Sequence, residues 1–272
     1  MGNLSMQRLE VRPGVSIRYL RLGRGQPLLL LHTIRTQLEY FERLAPLLAD
    51  LYTVYVLDLP GHGESTIEHV DYTEERFRRA VIDVIEKLDL RDVVIAGESI
   101  GGVLALTVAA QIPQRIARVV SINPYDYGDA FGGGIRRSRS GWIVALFALF
   151  RQFTIEPRFL LKRVLAGGFR YPRSFPESLA RKFFKSGQRV GYRWVEYSVF
   201  ANWRSWIEAR KHYPAESGHV TLAYSEFDWS TPADRLRTQA ALPKARKVIV
   251  PDAGHFASLE APREIAAIIA AE

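Results

Sequence analysis

The chain has no cysteine among its 272 residues. That excludes disulfide bridges, thiolate zinc sites and a cysteine nucleophile, and it fits a reducing compartment. Long apolar runs are missing as well. The longest, Trp142-Ile-Val-Ala-Leu-Phe-Ala-Leu-Phe150, stops well short of the roughly 20 residues that span a bilayer, so it predicts a buried or interfacial helix and no transmembrane segment. Residues Met1-Gly-Asn-Leu-Ser-Met6 have neither the basic start nor the apolar core of a secretory signal. Met6 also stands where a myristoylation motif wants Ser or Thr, and a cytoplasmic protein is expected. No cluster of His, Asp and Glu shows ligand spacing, so no metal is expected. Internal repeats and low-complexity tracts are absent too.

What the chain has is charge, unevenly placed. The formal net charge is +8, yet residues 125–215 hold 17 Lys and Arg against 6 Asp and Glu, so everything outside that segment is net negative. The basicity belongs to one segment, and two expectations follow. In the plainer one, its aromatic and aliphatic residues roof an apolar pocket while the arginines stay solvated or cover apolar surface with their stems. In the sharper one, a basic, tryptophan-rich surface docks peripherally on an anionic membrane or takes an acidic substrate. Nucleic acid is not expected as a partner, because no recognised binding motif accompanies the charge.

Along the chain, residues 7–11 and 16–22 are β-rich and flank the turn Arg12-Pro13-Gly14, which predicts an antiparallel hairpin. Pro27-Leu-Leu-Leu-Leu31 is a continuous apolar strand of the kind buried on both faces. Over residues 36–49, Leu38, Phe41, Leu44 and Leu47 or Leu48 recur at helical spacing despite Pro46 and predict an amphipathic helix. The strand Thr53-Val-Tyr-Val-Leu57 leads into the turn-rich loop Asp58-Leu-Pro60-Gly61-His62-Gly63-Glu64-Ser65, and Phe77, Val81, Val84 or Ile85, and Leu88 mark a second helix. Buried strands are also expected at residues 92–97, 117–122, 219–224 and 246–250. Thr231 and Pro232 open one helix and Pro262 another. Strand alternating with helix is the grammar of a parallel sheet, which carries function on loops at the carboxyl ends of its strands. Between residues 125 and 215 the alternation stops in favour of helical, aromatic sequence with a hinge candidate, Gly132-Gly-Gly134.

The candidate chemistry centres on Gly97-Glu98-Ser99-Ile100-Gly101, which joins a β-branched run to the helix-favouring Val103-Leu-Ala-Leu-Thr-Val-Ala-Ala110. A serine on a strained strand-to-helix turn needs neighbours without Cβ and then presents its hydroxyl outward. The alternative is a serine that merely caps the turn. Asp228 and His255 each follow a predicted strand, so one parallel sheet delivers all three residues to the same edge. A serine hydroxyl needs a base near neutral pH, imidazole is suited to that role, and a carboxylate fixes its tautomer. Asp126, just past the strand ending at Ile122, is the competing acid, while Asp252 reads as a turn former.

Ser, Asp, His in that order on this alternation resembles the α/β-hydrolase family over essentially the whole chain. Asp58-Leu-Pro-Gly61-His62-Gly63-Glu64-Ser65, Asp228-x-x-x-Pro232 and Gly254-His255 are similar to the family's other loops. The resemblance implies an α/β fold, a mostly parallel eight-stranded doubly wound sheet from residues 1–124 and 216–272, with a helical cap inserted at 125–215. It implies catalytic Ser99, Asp228 and His255, and oxyanion donors at the backbone N–H groups of Ile100 and Ile34. His32 and His62 fall in loop motifs where the family uses them structurally. The family usually shows His-Gly-X where this chain has His32-Thr33-Ile34, and a β-branched residue there implies either a different loop path or an added hydroxyl. Arg35 next door is a candidate clamp for a substrate carboxylate.

The expected function is a cofactor-independent serine hydrolase cleaving a small-molecule carboxylic ester with a hydrophobic part through an acyl-enzyme. The alternatives are other triad chemistry on a carboxylate-bearing substrate (carbon-carbon hydrolase, thioesterase or lyase), or a non-catalytic ligand-binding module of the same fold. A nucleophilic serine, where aspartate would be needed, argues against the dehalogenase and epoxide-hydrolase relatives.

Overall fold

Four successive leucines show how the sheet is covered. In β3 (Gln26–Leu31) the side chains of Leu28 and Leu30 enter one core, those of Leu29 and Leu31 the other, and all four are buried. Side chains alternate across a strand, so an uninterrupted apolar run needs helices on both faces. The computed structural model describes residues 5–128 and 158–271. The segments 132–134 and 142–150, read above as a hinge and as a buried or interfacial helix, lie outside them.

With β1 (Ser5–Arg12), β2 (Val15–Gly23), β4 (Tyr52–Leu57), β5 (Val93–Glu98), β6 (Ile116–Ile122), β7 (Val220–Ser225) and β8 (Arg246–Val250), β3 forms one eight-stranded sheet in the order β1-β2-β4-β3-β5-β6-β7-β8. The expected hairpin β1-β2 is antiparallel, β2 runs antiparallel to β4, and every other pair is parallel. The fold is therefore the mostly parallel, two-sided sheet that the alternation predicts. β8 departs from its expectation of full burial. As the edge strand it exposes Arg246, Lys247 and Ile249 and buries only Val250.

The helices follow in chain order as α1 (Ala45–Leu48), α2 (Glu74–Lys87), α3 (Ile100–Gln111), α4 (Arg158–Ala166), α5 (Glu177–Gly187), α6 (Tyr192–Ala201), α7 (Trp203–Glu208), α8 (Pro232–Ala241), α9 (Ala257–Glu260) and α10 (Pro262–Ala270). The single helix expected over residues 36–49 is instead a 3-10 turn, Leu38–Phe41, followed by the short α1. Pro46 is the reason. It sits in the first turn of α1, where its missing N–H costs nothing, but it cannot continue a helix begun earlier. The spacing still identifies the inward face, because Leu38, Phe41, Leu44 and Leu48 are buried while Leu47 is exposed.

On one face of the sheet, α2 and α3 supply Phe77, Val81, Val103 and Leu106; on the other, Leu44, Leu48, Ile265 and Ile269 pack from α1 and α10 and the segment between the 3-10 turn and α1. Between β6 and β7 the described residues are helical. Those helices join both cores, with Val195, Val199 and Trp206 on the α2-α3 side and Leu161, Leu165, Leu179 and Phe183 on the other. The insert is thus seated on both layers beyond the carboxyl ends of the strands.

Candidate active site

Ser99 connects β5 to α3 with φ 61 and ψ −118, a backbone region that L-residues avoid at a cost of about 1–3 kcal/mol. The surroundings hold it there. Its N–H donates to Ile122 O at 2.9 Å, and its carbonyl accepts from the N–H groups of Gly102, Val103 and Tyr125. The two bracketing glycines are obligatory by packing: a Cβ on Gly97 would lie 2.1 Å from Gly101 O, and one on Gly101 would lie 2.2 Å from Leu31 O. The Ser99 side chain makes no capping bond to α3. Its Oγ lies 3.0 Å from His255 Nε2 instead.

His255 Nδ1 is 2.5 Å from Asp228 Oδ1, and both side chains are fully buried. The imidazole is held from several directions. Trp229 stacks on it at 4.0 Å with a 14° interplanar angle, and Tyr125 meets it edge-on at 6.2 Å. Its backbone N–H donates to Gly168 O of the insert at 2.6 Å, and its carbonyl accepts from Asn123 Nδ2 at 3.0 Å. Burial alone would raise the Asp228 carboxyl. The His255 ring and the hydroxyl and N–H of Ser230 outweigh that and hold it below the usual carboxylate range. Asp126 does not approach His255. It is buried against Arg210 Nε at 3.2 Å, Tyr213 Oη at 2.9 Å and Thr238 Oγ1 at 2.8 Å, and ties the end of the insert to α8.

Opposite the Ser99 turn, His32 Nε2 accepts from Leu59 N–H at 2.9 Å, so its proton is on Nδ1, which donates to Thr33 O at 2.7 Å. Thr36 Oγ1 donates to the same carbonyl. Burial keeps His32 and His62 neutral, their pKa lowered to about 3, and both orient backbone. Thr33 stands where the family usually has glycine, and the left-handed residue of this loop is Arg35, at φ 63. The Thr33 hydroxyl therefore adds no strain at its own position. Ile34 between them is half-buried against the core, and Ile100 opens α3, so its N–H has no intrahelical partner. The Arg35 guanidinium turns to the insert, with Nε 3.2 Å from a Glu196 carboxylate oxygen and Cζ 5.2 Å from the centre of the Tyr192 ring.

Three further groups shape the site and stand where no motif fixes the residue type. Trp229 is the stacking partner of the imidazole. Glu98, one residue before the serine, sends a buried carboxylate to the backbone of Ala257 and Ser258. Glu260 accepts from the N–H groups of Gly254, Arg170 and Tyr171, joining the histidine loop to the insert. Their positions in predicted loop and helix ends were the only signal available. Among the described residues no group of His, Cys, Asp and Glu comes together to hold a metal, and no helix is long and apolar enough to cross a membrane.

A family model described as "Alpha/beta hydrolase family" matches residues 28–268. The dihydrolipoyllysine-residue acetyltransferase component of the acetoin cleaving system from Cupriavidus necator is 26% identical over 94% of this chain, which spans only 66% of that relative's length. Among solved structures, Cfl2 of Burkholderia cenocepacia superposes with a TM-score of 0.80 at 20% identity, covering 97% of this chain and 94% of its own. The 2-hydroxy-6-oxo-6-phenylhexa-2,4-dienoate hydrolase of Rhodococcus sp. strain RHA1 gives a TM-score of 0.80 at 18% identity over 99% and 98% of the two chains. At these identities the likeness is one of fold.

Proposed function

Because the chain belongs to the alpha/beta hydrolase family, we propose that it is a cofactor-independent serine hydrolase that cleaves a carboxylic ester with a hydrophobic part. The observation that carries the reading is the continuous relay from Ser99 Oγ to His255 Nε2 at 3.0 Å and from His255 Nδ1 to Asp228 at 2.5 Å. His255 takes the Ser99 proton as Oγ attacks the ester carbonyl, and Asp228 holds the imidazole in the tautomer that leaves Nε2 free to accept it. The Ile100 and Ile34 N–H groups receive the oxyanion. As the tetrahedral intermediate collapses, His255 returns the proton to the departing alcohol, and water, deprotonated in turn by His255, releases the acid and restores Ser99. The insert acts as a cap that supplies the apolar walls. Ser99→Ala should abolish turnover of a generic p-nitrophenyl ester while far-UV circular dichroism and thermal unfolding stay unchanged. Turnover retained by that variant would overturn the reading.

A second reading, triad chemistry on a carboxylate-bearing substrate, draws support from Arg35 beside the oxyanion loop. It also draws on relatives named for such substrates, among them an (E)-2-((N-methylformamido)methylene)succinate hydrolase from Acinetobacter baylyi, 30% identical over 42% of this chain and 44% of its own. Here Arg35 must share its charge between Glu196 and the substrate. A panel of matched neutral and anionic substrates, compared in wild type and Arg35→Ala, separates the two: a selective loss on the anionic members favours the second.

A further inference from the structure

Glu98 is the last residue of β5, directly before the proposed nucleophile, and its side chain is fully buried. Its Oε1 accepts from Ala257 N–H at 2.6 Å, and its Oε2 accepts from Tyr40 Oη at 2.7 Å and from Ser258 N–H at 3.2 Å. Ala257 and Ser258 begin α9, two and three residues after His255. Tyr40 belongs to the 3-10 turn that follows the oxyanion loop. One carboxyl group therefore spans the three segments that bring nucleophile, base and oxyanion donors together.

We propose that Glu98 is a positioning residue which, as a carboxylate, fixes the His255 loop against the nucleophile elbow, so that hydrolysis requires it to be ionised. The inference rests on the serine-hydrolase reading above. A backbone N–H points at each oxygen and the Tyr40 hydroxyl at one of them, so the ionised group accepts from all three, whereas a proton on the carboxyl must either face a backbone N–H or reverse the Tyr40 hydrogen bond. A buried N–H left facing another donor costs about 1–3 kcal/mol, enough to shift the loop that carries the imidazole. The groups facing the carboxyl are Tyr40 from the 3-10 turn, Ser258 from α9 and His255 from the loop after β8, with Glu260 behind Tyr40. Burial pushes Glu98 up to about 7, against the pull of the Ser258 and Tyr40 donors and of His255. It thus changes charge near neutrality, and reactivity falls as the pH drops through that point.

The test is the rate at which a serine-directed fluorophosphonate probe labels Ser99 between about pH 5 and 9, in wild type, Glu98→Gln and Tyr40→Phe, with thermal unfolding of each. Glu98→Gln is expected to label roughly ten- to a hundred-fold more slowly above neutrality, the scale on which misplaced catalytic groups act. Its acid limb should contain one ionisation where wild type has two. Tyr40→Phe removes a donor to the carboxylate, so it should keep both ionisations and move one to higher pH. Glu98→Gln labelling at the wild-type rate, or slowed by one factor at every pH with the limb unchanged, would overturn the inference. If Glu98→Gln does not fold, Tyr40→Phe decides alone: an unmoved limb overturns the inference, and a raised one supports it. A wild type that fails to label at Ser99 overturns the serine-hydrolase reading itself, which is a different outcome.

Discussion

Two buried aspartates follow adjacent strands, and they are held by different partners. Asp228 faces the imidazole, whereas Asp126 is held by Arg210, Tyr213 and Thr238. Asp228→Asn should therefore lower kcat by about 10³–10⁴-fold with little change in unfolding temperature, since the isosteric amide keeps the shape but favours the wrong imidazole tautomer. Asp126→Asn should do the reverse. It leaves the Asp228-His255 pair intact, so steady-state kinetics should stay near wild type, while urea unfolding shows a loss on the order of 3 kcal/mol from breaking a buried ion pair. At this scale the residues legible in the sequence were those whose geometry demands a residue type. Gly97 and Gly101 bracket Ser99 because no other residue fits, and the histidine and acid follow strands because loops at strand ends are where a sheet presents side chains. Glu98 was not legible in that way. A glutamate beside the Ser99 turn has no periodicity to mark it, and its partners at positions 40, 257 and 258 become neighbours only through the tertiary fold. The missing glycine at position 33 announced an unusual loop, yet that the left-handed turn falls on Arg35 depends on the path of the backbone and on no residue preference.

Elements were readable by face more reliably than by extent. Residues 36–49 bury the side chains their spacing names, but Pro46 divides them into two short turns, because apolar periodicity reports what must be covered and says nothing of whether one hydrogen-bonded ladder runs through. Where the end signals were explicit the start was readable to the residue. Thr231 accepts from Asp234 N–H, the Asp234 carboxylate accepts from Thr231 N–H, and Pro232 takes the first turn of α8. This capping box closes the loop that begins at Asp228. Thr231→Ala should destabilise the protein by about 1 kcal/mol, visible in calorimetry as a fall of about 2 °C in Tm.

Over the whole molecule, the sheet was legible because its central strands carry apolar runs, while the seating of the insert was not, since its helices divide between two cores by contacts that no local pattern encodes. The stability of the whole also has a legible pH dependence once the burial is known. His32 and His62 stay neutral in the fold, with pKa lowered from 6.5 to about 3, so their contribution is present above 6.5 and is lost as the pH falls toward 3. Glu98 runs the other way. Raised from 4.5 to about 7, its contribution is full below 4.5 and is lost as the pH rises through 7. Between about pH 5 and 6.5 the two trends oppose, so the unfolding free energy of Glu98→Gln, measured by urea titration, should fall more steeply on acidification than that of wild type, by about 1.4 kcal/mol per pH unit.

The hydrogen bond between Ser99 and His255 spans 156 residues of chain, and the acid that orients the base lies 27 residues before it. Contacts that close so long a loop form late, after helices and neighbouring strands have organised. On the proposed function, chemical competence is therefore a clock on assembly. In a refolding experiment, labelling of Ser99 by a fluorophosphonate should lag behind the recovery of helical circular dichroism. During synthesis Ser99 emerges long before His255, so on the proposed function the hydroxyl of a partly made chain is inert, and both the strain of its turn and its reactivity arrive only with the contacts that hold them.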